Sequence, residues 1–387
     1  MTFWNIFSYI DWILFIIISF TVLYLGVFAF TSLFVRHSET PKTKNKNRFI
    51  IIILAHQNKS VIMTVNSILG QIYPQRLFDI TVVSDHLDEL TNFQLAQQPV
   101  TLLTPNFEKY SRTKGLQMAI NNLPQFKIYD AVIVLEAGDV VEPEYLELMN
   151  DAYEAAGTKA VQSHKLSLNR DTTSARLSAI FEEINNSIFR RGHISLGLPS
   201  AIASSGTAFE FTWLKHYLQN AKPTWGEKEM EAALVRQHIY VDYFDNIFIY
   251  NEKVRQAEEF NRQHRNWVLA QTRTILHNVH HLPLAIINRQ YDLADKIMQW
   301  LLMPRMIMMA LIFIMSVVIP FVYFTAALKW WALFSISLFI FALATPDYLV
   351  DEKWNNTFFK LPFVVFSSTL ERFSLGRKIK QYVNLKE

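Results

Sequence analysis

The chain has 387 residues, 51% of them apolar, with a net charge of +3 and no cysteine. So large an apolar share points to a membrane component, and so small and dispersed a charge argues against nucleic acid as a partner. Without cysteine, disulfides, thiolate metal sites and thiol nucleophiles are excluded, so chemistry falls to carboxylates, histidines, hydroxyls or a metal held by oxygen.

Trp12 to Val35 carries no charge, and about twenty apolar residues suffice to cross a bilayer as a helix. A cleaved signal peptide is the competing reading. The residues before Asp11 carry no basic charge, the run is long and no small-residue cleavage site follows, so a retained anchor is expected. Residues 1–48 therefore read as an N-terminal transmembrane anchor and basic linker. Arg36, Lys42, Lys44, Lys46 and Arg48 follow the span and place its end in the cytoplasm by the positive-inside rule.

From residue 49 the pattern changes to short β-branched runs alternating with helical periodicity, which predicts a parallel α/β sheet. Phe49 to Leu54, Ile80 to Val83 and Ala131 to Leu135 read as buried strands. Val61, Ile62, Val65, Ile68 and Leu69 fall at helical spacing before a Tyr73-Pro74 stop. This domain is expected over 49–267, and 268–304 reads as interfacial helices. Residues 305–346 read as a transmembrane hairpin, with its turn expected at Lys329, which is followed by Trp330 and Trp331. Residues 347–387 form a cytoplasmic basic tail with Arg372, Arg377, Lys378 and Lys380, and Phe358 to Leu370 is a candidate interfacial helix. The expected arrangement is a multi-pass protein of the inner or plasma membrane with its central domain cytoplasmic.

In open parallel sheets ligands sit beyond the carboxyl ends of the strands. There this chain carries Asp85, Glu136 and, three residues on, Asp139. Singly, each reads more readily as a surface loop acid than as a ligand. Their order is more specific.

The order of segments from Arg48 to Trp267 resembles the membrane-bound inverting nucleotide-sugar glycosyltransferases related to cellulose, chitin and hyaluronan synthases, which implies a GT-A fold, α/β and Rossmann-like with a mostly parallel sheet. Ile51-Ile52-Ile53-Leu54-Ala55-His56-Gln57-Asn58 stands at the family's first strand, without its Pro and Glu. Val82-Val83-Ser84-Asp85 matches the strand whose terminal Asp contacts the nucleotide base, and Arg112 stands at a basic position of the nucleotide site. Val132 to Asp139 is similar to the strand bearing the metal-binding Asp-x-Asp, with Glu136 at the first position and Gly138 at the second. The resemblance implies Mg2+ or Mn2+ there, because a departing diphosphate needs its charge neutralised. Asp139 replaces the missing ligand if the chain turns sharply at Gly138. Gly206 and Thr207, in Ser205 to Phe209, fit a small-residue loop for an acceptor. Glu227, in Gly226-Glu227-Lys228-Glu229-Met230, stands at the catalytic base, and Gln263 and Trp267 stand at a Gln-x-x-Arg-Trp motif in which Asn266 replaces Arg. The resemblance implies sugar transfer from a nucleoside diphosphate sugar to a lipid-linked or polysaccharide acceptor in the cell envelope. The altered motifs keep open an alternative: a catalytically degenerate scaffold for a partner synthase subunit.

Overall fold

The computed structural model of the chain describes residues 3–34, 40–124 and 126–350, with side chains from residue 7 onward. Arg36, the expected helix at Phe358 to Leu370 and the basic residues after it lie outside the described residues. The chain begins with helix α1 (Phe3–Thr31), followed by strand β1 (Phe49–His56), helix α2 (Val61–Leu69) and strand β2 (Phe78–Asp85). Next come α3 (Glu89–Ala96), β3 (Thr101–Leu103), α4 (Arg112–Asn121), β4 (Ala131–Glu136) and β5 (Asp139–Val141). After α5 (Tyr145–Ala156), β6 (Ala160–Ser167) and α6 (Thr173–Ile184), the helix widens into a π-helical segment, Asn185–Arg191, and ends in α7 (Gly192–Ser195). The domain closes with β7 (Thr207–Glu210), α8 (Phe211–Asn220), α9 (Glu227–Arg236) and β8 (Val241–Asn251).

The described strands form one sheet in the order β3-β2-β1-β4-β7-β6-β8-β5, parallel from β3 through β4 and mixed beyond. A strand read as an uninterrupted apolar run is one buried on both faces, and β1 shows why. Phe49, Ile51 and Ile53 pack with Val61, Val65 and Ile68 of α2 and Met149 of α5, while Ile50, Ile52 and Leu54 pack with Leu116 of α4 and Leu214 of α8. Each such Ile contributes about 1.5–3 kcal/mol by leaving water. The three expected strands are present, and β1 and β2 run on to His56 and Asp85.

Past the sheet, α10 (Ala257–Asn278), α11 (Leu282–Ile287) and α12 (Tyr291–Leu301) lead to α13 (Arg305–Val322) and α14 (Phe324–Leu343). The segments Phe7–Phe34, Arg305–Val322 and Phe324–Leu343 are long and apolar enough to cross a membrane. The hairpin turn is at Tyr323, just after Pro320, rather than at the expected Lys329. Lys329 lies inside α14 because its charge is met there: its ammonium binds Asp11 of α1 and sits 3.8 Å from the Trp12 ring centroid, while Trp330 Nε1 donates to Asp11 at 2.8 Å. The same pairing lets α1 begin before Asp11 instead of at Trp12.

The other end of α1 docks on the π-helical segment and α7. Tyr24 donates to Asp295 of α12 at 2.7 Å and lies 3.1 Å from His193 Nε2, and the Phe28 ring stacks on His193 at 3.8 Å. A Cβ on Gly192 would collide with the Phe28 backbone, so only glycine permits this approach.

Candidate active site

The carboxyl ends of β1, β2 and β4 lie side by side, since His56 pairs with Asp85 and Leu54 with Glu136 in register. Asp85 is fully buried. Its Oδ2 lies 2.7 Å from His56 Nδ1, and its Oδ1 lies 2.9 Å from His86 Nδ1 and accepts from the Phe107 N–H at 3.0 Å. The residues after both strand ends, Gln57 and His86, hold φ of 53° and 56°, a conformation that non-glycine residues rarely keep without surrounding support. His56 stacks on Tyr110 with ring centroids 4.4 Å apart and planes 11° from parallel. Burial pushes the Tyr110 hydroxyl up; Arg112 opposes this and the charges of Glu136, Glu227 and Asp85 add to it, so this ring lies within electrostatic reach of four expected site residues.

Arg112, first residue of α4, is the hub. Its Nη1 donates to Glu136 Oε1 at 2.9 Å, its Nε lies 3.6 Å from Glu227 Oε1, and among the described residues its Nη2 has no hydrogen-bond partner. Ser111 caps the helix by accepting from the Lys114 N–H, which fixes where Arg112 starts. Glu227 begins α9 after Gly226, whose own N–H donates to Glu229 at 2.9 Å. The other oxygen of Glu136 accepts from Ser204 Oγ at 2.8 Å and lies 3.5 Å from the ammonium of Lys165, which itself donates to Ser204 at 2.8 Å. Burial pushes the Glu136 carboxyl up, but Lys165 and Arg112 outweigh it and hold it below its ordinary value.

The chain does turn sharply at Gly138, with φ of +95°. The turn feeds Asp139 into β5, fully buried, where Oδ2 accepts from the Glu136 N–H and Oδ1 from Asn251 Nδ2, both at 2.7 Å. Burial pushes this carboxyl up. A divalent cation shared by Glu136 and Asp139 therefore does not fit. Both Asp139 oxygens have protein donors, and each Glu136 oxygen faces a side-chain cation. A different set, His56, Asp85 and His86, brings potential metal-ligating atoms within 4.8 Å of one another.

The expected acceptor residues are not gathered in one place. Gly206, with φ of +78°, is packed so that a Cβ would collide with Ser163 and Ile249, and Thr207 is buried with its hydroxyl donating to Gln162 at 2.6 Å. Gln263 and Trp267 are exposed on α10, where Trp267 stacks on His264 at 5.7 Å. Four side chains of the site were missed in the sequence: His86, Tyr110, Lys165 and Ser204. Only Lys165 left a trace, as the end of the polar run Gln162-Ser163-His164-Lys165 inside a buried strand.

No family model and no curated protein matches the chain. Among solved structures it is similar to the mannosyltransferase PcManGT from Pyrobaculum calidifontis in complex with GDP-Man and Mn2+, with a TM-score of 0.53 and 11% identity over 94% of this chain and 98% of that one. It also matches S. aureus TarS 1-349, with a TM-score of 0.43 and 14% identity over 85% of this chain and 92% of that one. The fold is of the GT-A type, an α/β domain with a mostly parallel sheet, joined to three helices long and apolar enough to cross a membrane.

Proposed function

We propose that the chain is a membrane-anchored glycosyltransferase that takes a sugar from a nucleoside diphosphate donor and passes it, with inversion, to a lipid-linked or polysaccharide acceptor. The observation that carries this reading is Arg112 holding Glu136 and Glu227 together at the carboxyl ends of the parallel strands, where α/β sheets bind their ligands. The acceptor oxygen attacks the anomeric carbon while the bond from that carbon to the diphosphate breaks, its electron pair leaving with the nucleoside diphosphate. Glu227, with its side chain one-third exposed, takes the acceptor proton as general base. Asp85, fixed by His56 and His86, borders the nucleotide pocket, and the His56–Tyr110 stack offers an aromatic wall beside it. Trp267 serves as the acceptor platform on α10. Lys42, Lys44, Lys46 and Arg48 after α1 support a cytoplasmic domain, where nucleotide sugars are made.

The test is nucleoside diphosphate release from a panel of nucleotide sugars by full-length protein in detergent, with lipid and glycan acceptors. Glu227→Gln is expected to keep donor binding and lower turnover by at least about a hundredfold. Unchanged turnover would assign Glu227 to structure. A second reading, a scaffold for a partner synthase, is favoured by the burial of Asp139 and the full occupancy of Asp85. It predicts no turnover with any donor.

A further inference from the structure

Glu136, the acid at the family's first metal position, is already neutralised by the protein's own cations. Glu136 offers one oxygen to Arg112 and the other to Ser204 and Lys165. Behind them Glu182 is paired with Arg190 at 3.1 Å and Lys253 at 3.2 Å, while Asp139 is buried among neutral donors. A divalent ion approaching Glu136 meets two resident cations, Arg112 and Lys165, that repel it. Arg112, in contrast, is oriented by two carboxylates and keeps Nη2 unpaired at the edge of the site. A guanidinium fork held in this way is suited to phosphate oxygens.

We propose that the donor's diphosphate is bound, and its departing negative charge neutralised, by Arg112 without a divalent cation, Lys165 acting as a positioning residue that cancels the charge of Glu136 and holds it as the anchor for Arg112. This deepens the glycosyltransferase reading and rests on it. The reaction balances as before: the diphosphate leaves with the bonding electron pair, and the positive charge facing it comes from a side chain.

The experiment is calorimetric titration of the full-length protein in detergent with UDP and with GDP, in chelator and in excess Mn2+. Wild-type affinity is expected to differ by less than about twofold between the two conditions, and Arg112→Met to weaken it by about tenfold or more in both. Lys165→Met removes one of the two cations at Glu136, so nucleotide binding by the variant is expected to weaken in chelator and to recover on adding Mn2+. A merely structural lysine would give no such rescue. A wild-type affinity that tightens about tenfold or more with Mn2+ overturns this inference and leaves sugar transfer standing. Unchanged binding by Arg112→Met, or a folded Lys165→Met without metal response, also overturns it. If neither nucleotide binds the wild type in either condition, this inference and the glycosyltransferase reading fall together. The wild-type and Arg112→Met measurements decide the matter even where Lys165→Met does not fold.

Discussion

At Gly138 the backbone stands at φ of +95°, and a Cβ there would meet Glu252 Cβ at 3.3 Å. Motif comparison alone suggests Gly138→Asp as a way to restore a second metal carboxylate. The dihedral and the crowding argue otherwise. The variant is expected to lose about 1–3 kcal/mol of stability, read as a lower thermal midpoint in detergent, with no gain in Mn2+ dependence of nucleotide binding. A variant as stable as the wild type that binds nucleotide more tightly with Mn2+ would refute this. Single residues also mark what the sequence made legible. Asp85 and Glu136 stand out because they end strands, whereas Arg112 and Glu227 were named through the family resemblance, and the fold brings all four to the carboxyl ends of the parallel strands. Tyr110 and Lys165 reach the same place from a loop and from a distant strand, and nothing local in the sequence encodes that meeting. The chain makes the sharp turn at Gly138 on which a ligand role for Asp139 depends, but the direction of that turn is set by the pairing of Asp139 opposite Asn251 in β8.

Among the elements, a buried carboxylate of α9 helps to fasten α12 to the sheet domain. Glu231 of α9 lies 3.3 Å from the ammonium of Lys296, accepts from Trp300 Nε1 at 3.2 Å, and lies 3.2 Å from Lys228. Burial pushes Glu231 up, yet Lys228 and Lys296 hold it down to about 2 from its ordinary 4.5. A depressed carboxyl stabilises the folded form above its ordinary value, so this fastening is fully present above pH 4.5 and is lost as the pH falls toward about 2. Amide exchange in α12 is expected to accelerate over that window. Glu231→Gln, which leaves Lys296 buried without its partner, is expected to cost about 3–5 kcal/mol and to flatten the acid dependence. If α12 exchanges with the same acid profile in the variant, the clamp is not what holds it. The hairpin shows where element reading from sequence stops. Lys329 reads as a turn because a lone charge in an apolar run ordinarily marks an interface, and its partner, Asp11, lies at the far end of the chain.

For the whole molecule, the expected topology is testable because the chain has no cysteine and any introduced thiol is unique. In intact cells a membrane-impermeant maleimide is expected to label Tyr323→Cys, in the turn between α13 and α14. It should label Lys215→Cys on α8 only after permeabilisation. The reverse pattern would invert the orientation and remove the case for access to cytoplasmic nucleotide sugars. The parallel half of the α/β domain was legible because β1, β2 and β4 carry short apolar, β-branched runs, whereas the way α1 joins it was not, since that contact depends on His193, just past a widened helix, and on the absence of a side chain at Gly192. That joint has a further consequence. α1 is pinned at Asp11 by α14 and at Tyr24 by His193 and Asp295, and at about 100° per residue the two pins sit on roughly opposite sides of the helix. The span thus has a fixed phase as well as a fixed depth. One residue inserted between the pins would turn them about 100° out of step, so that either end could be seated only by unseating the other.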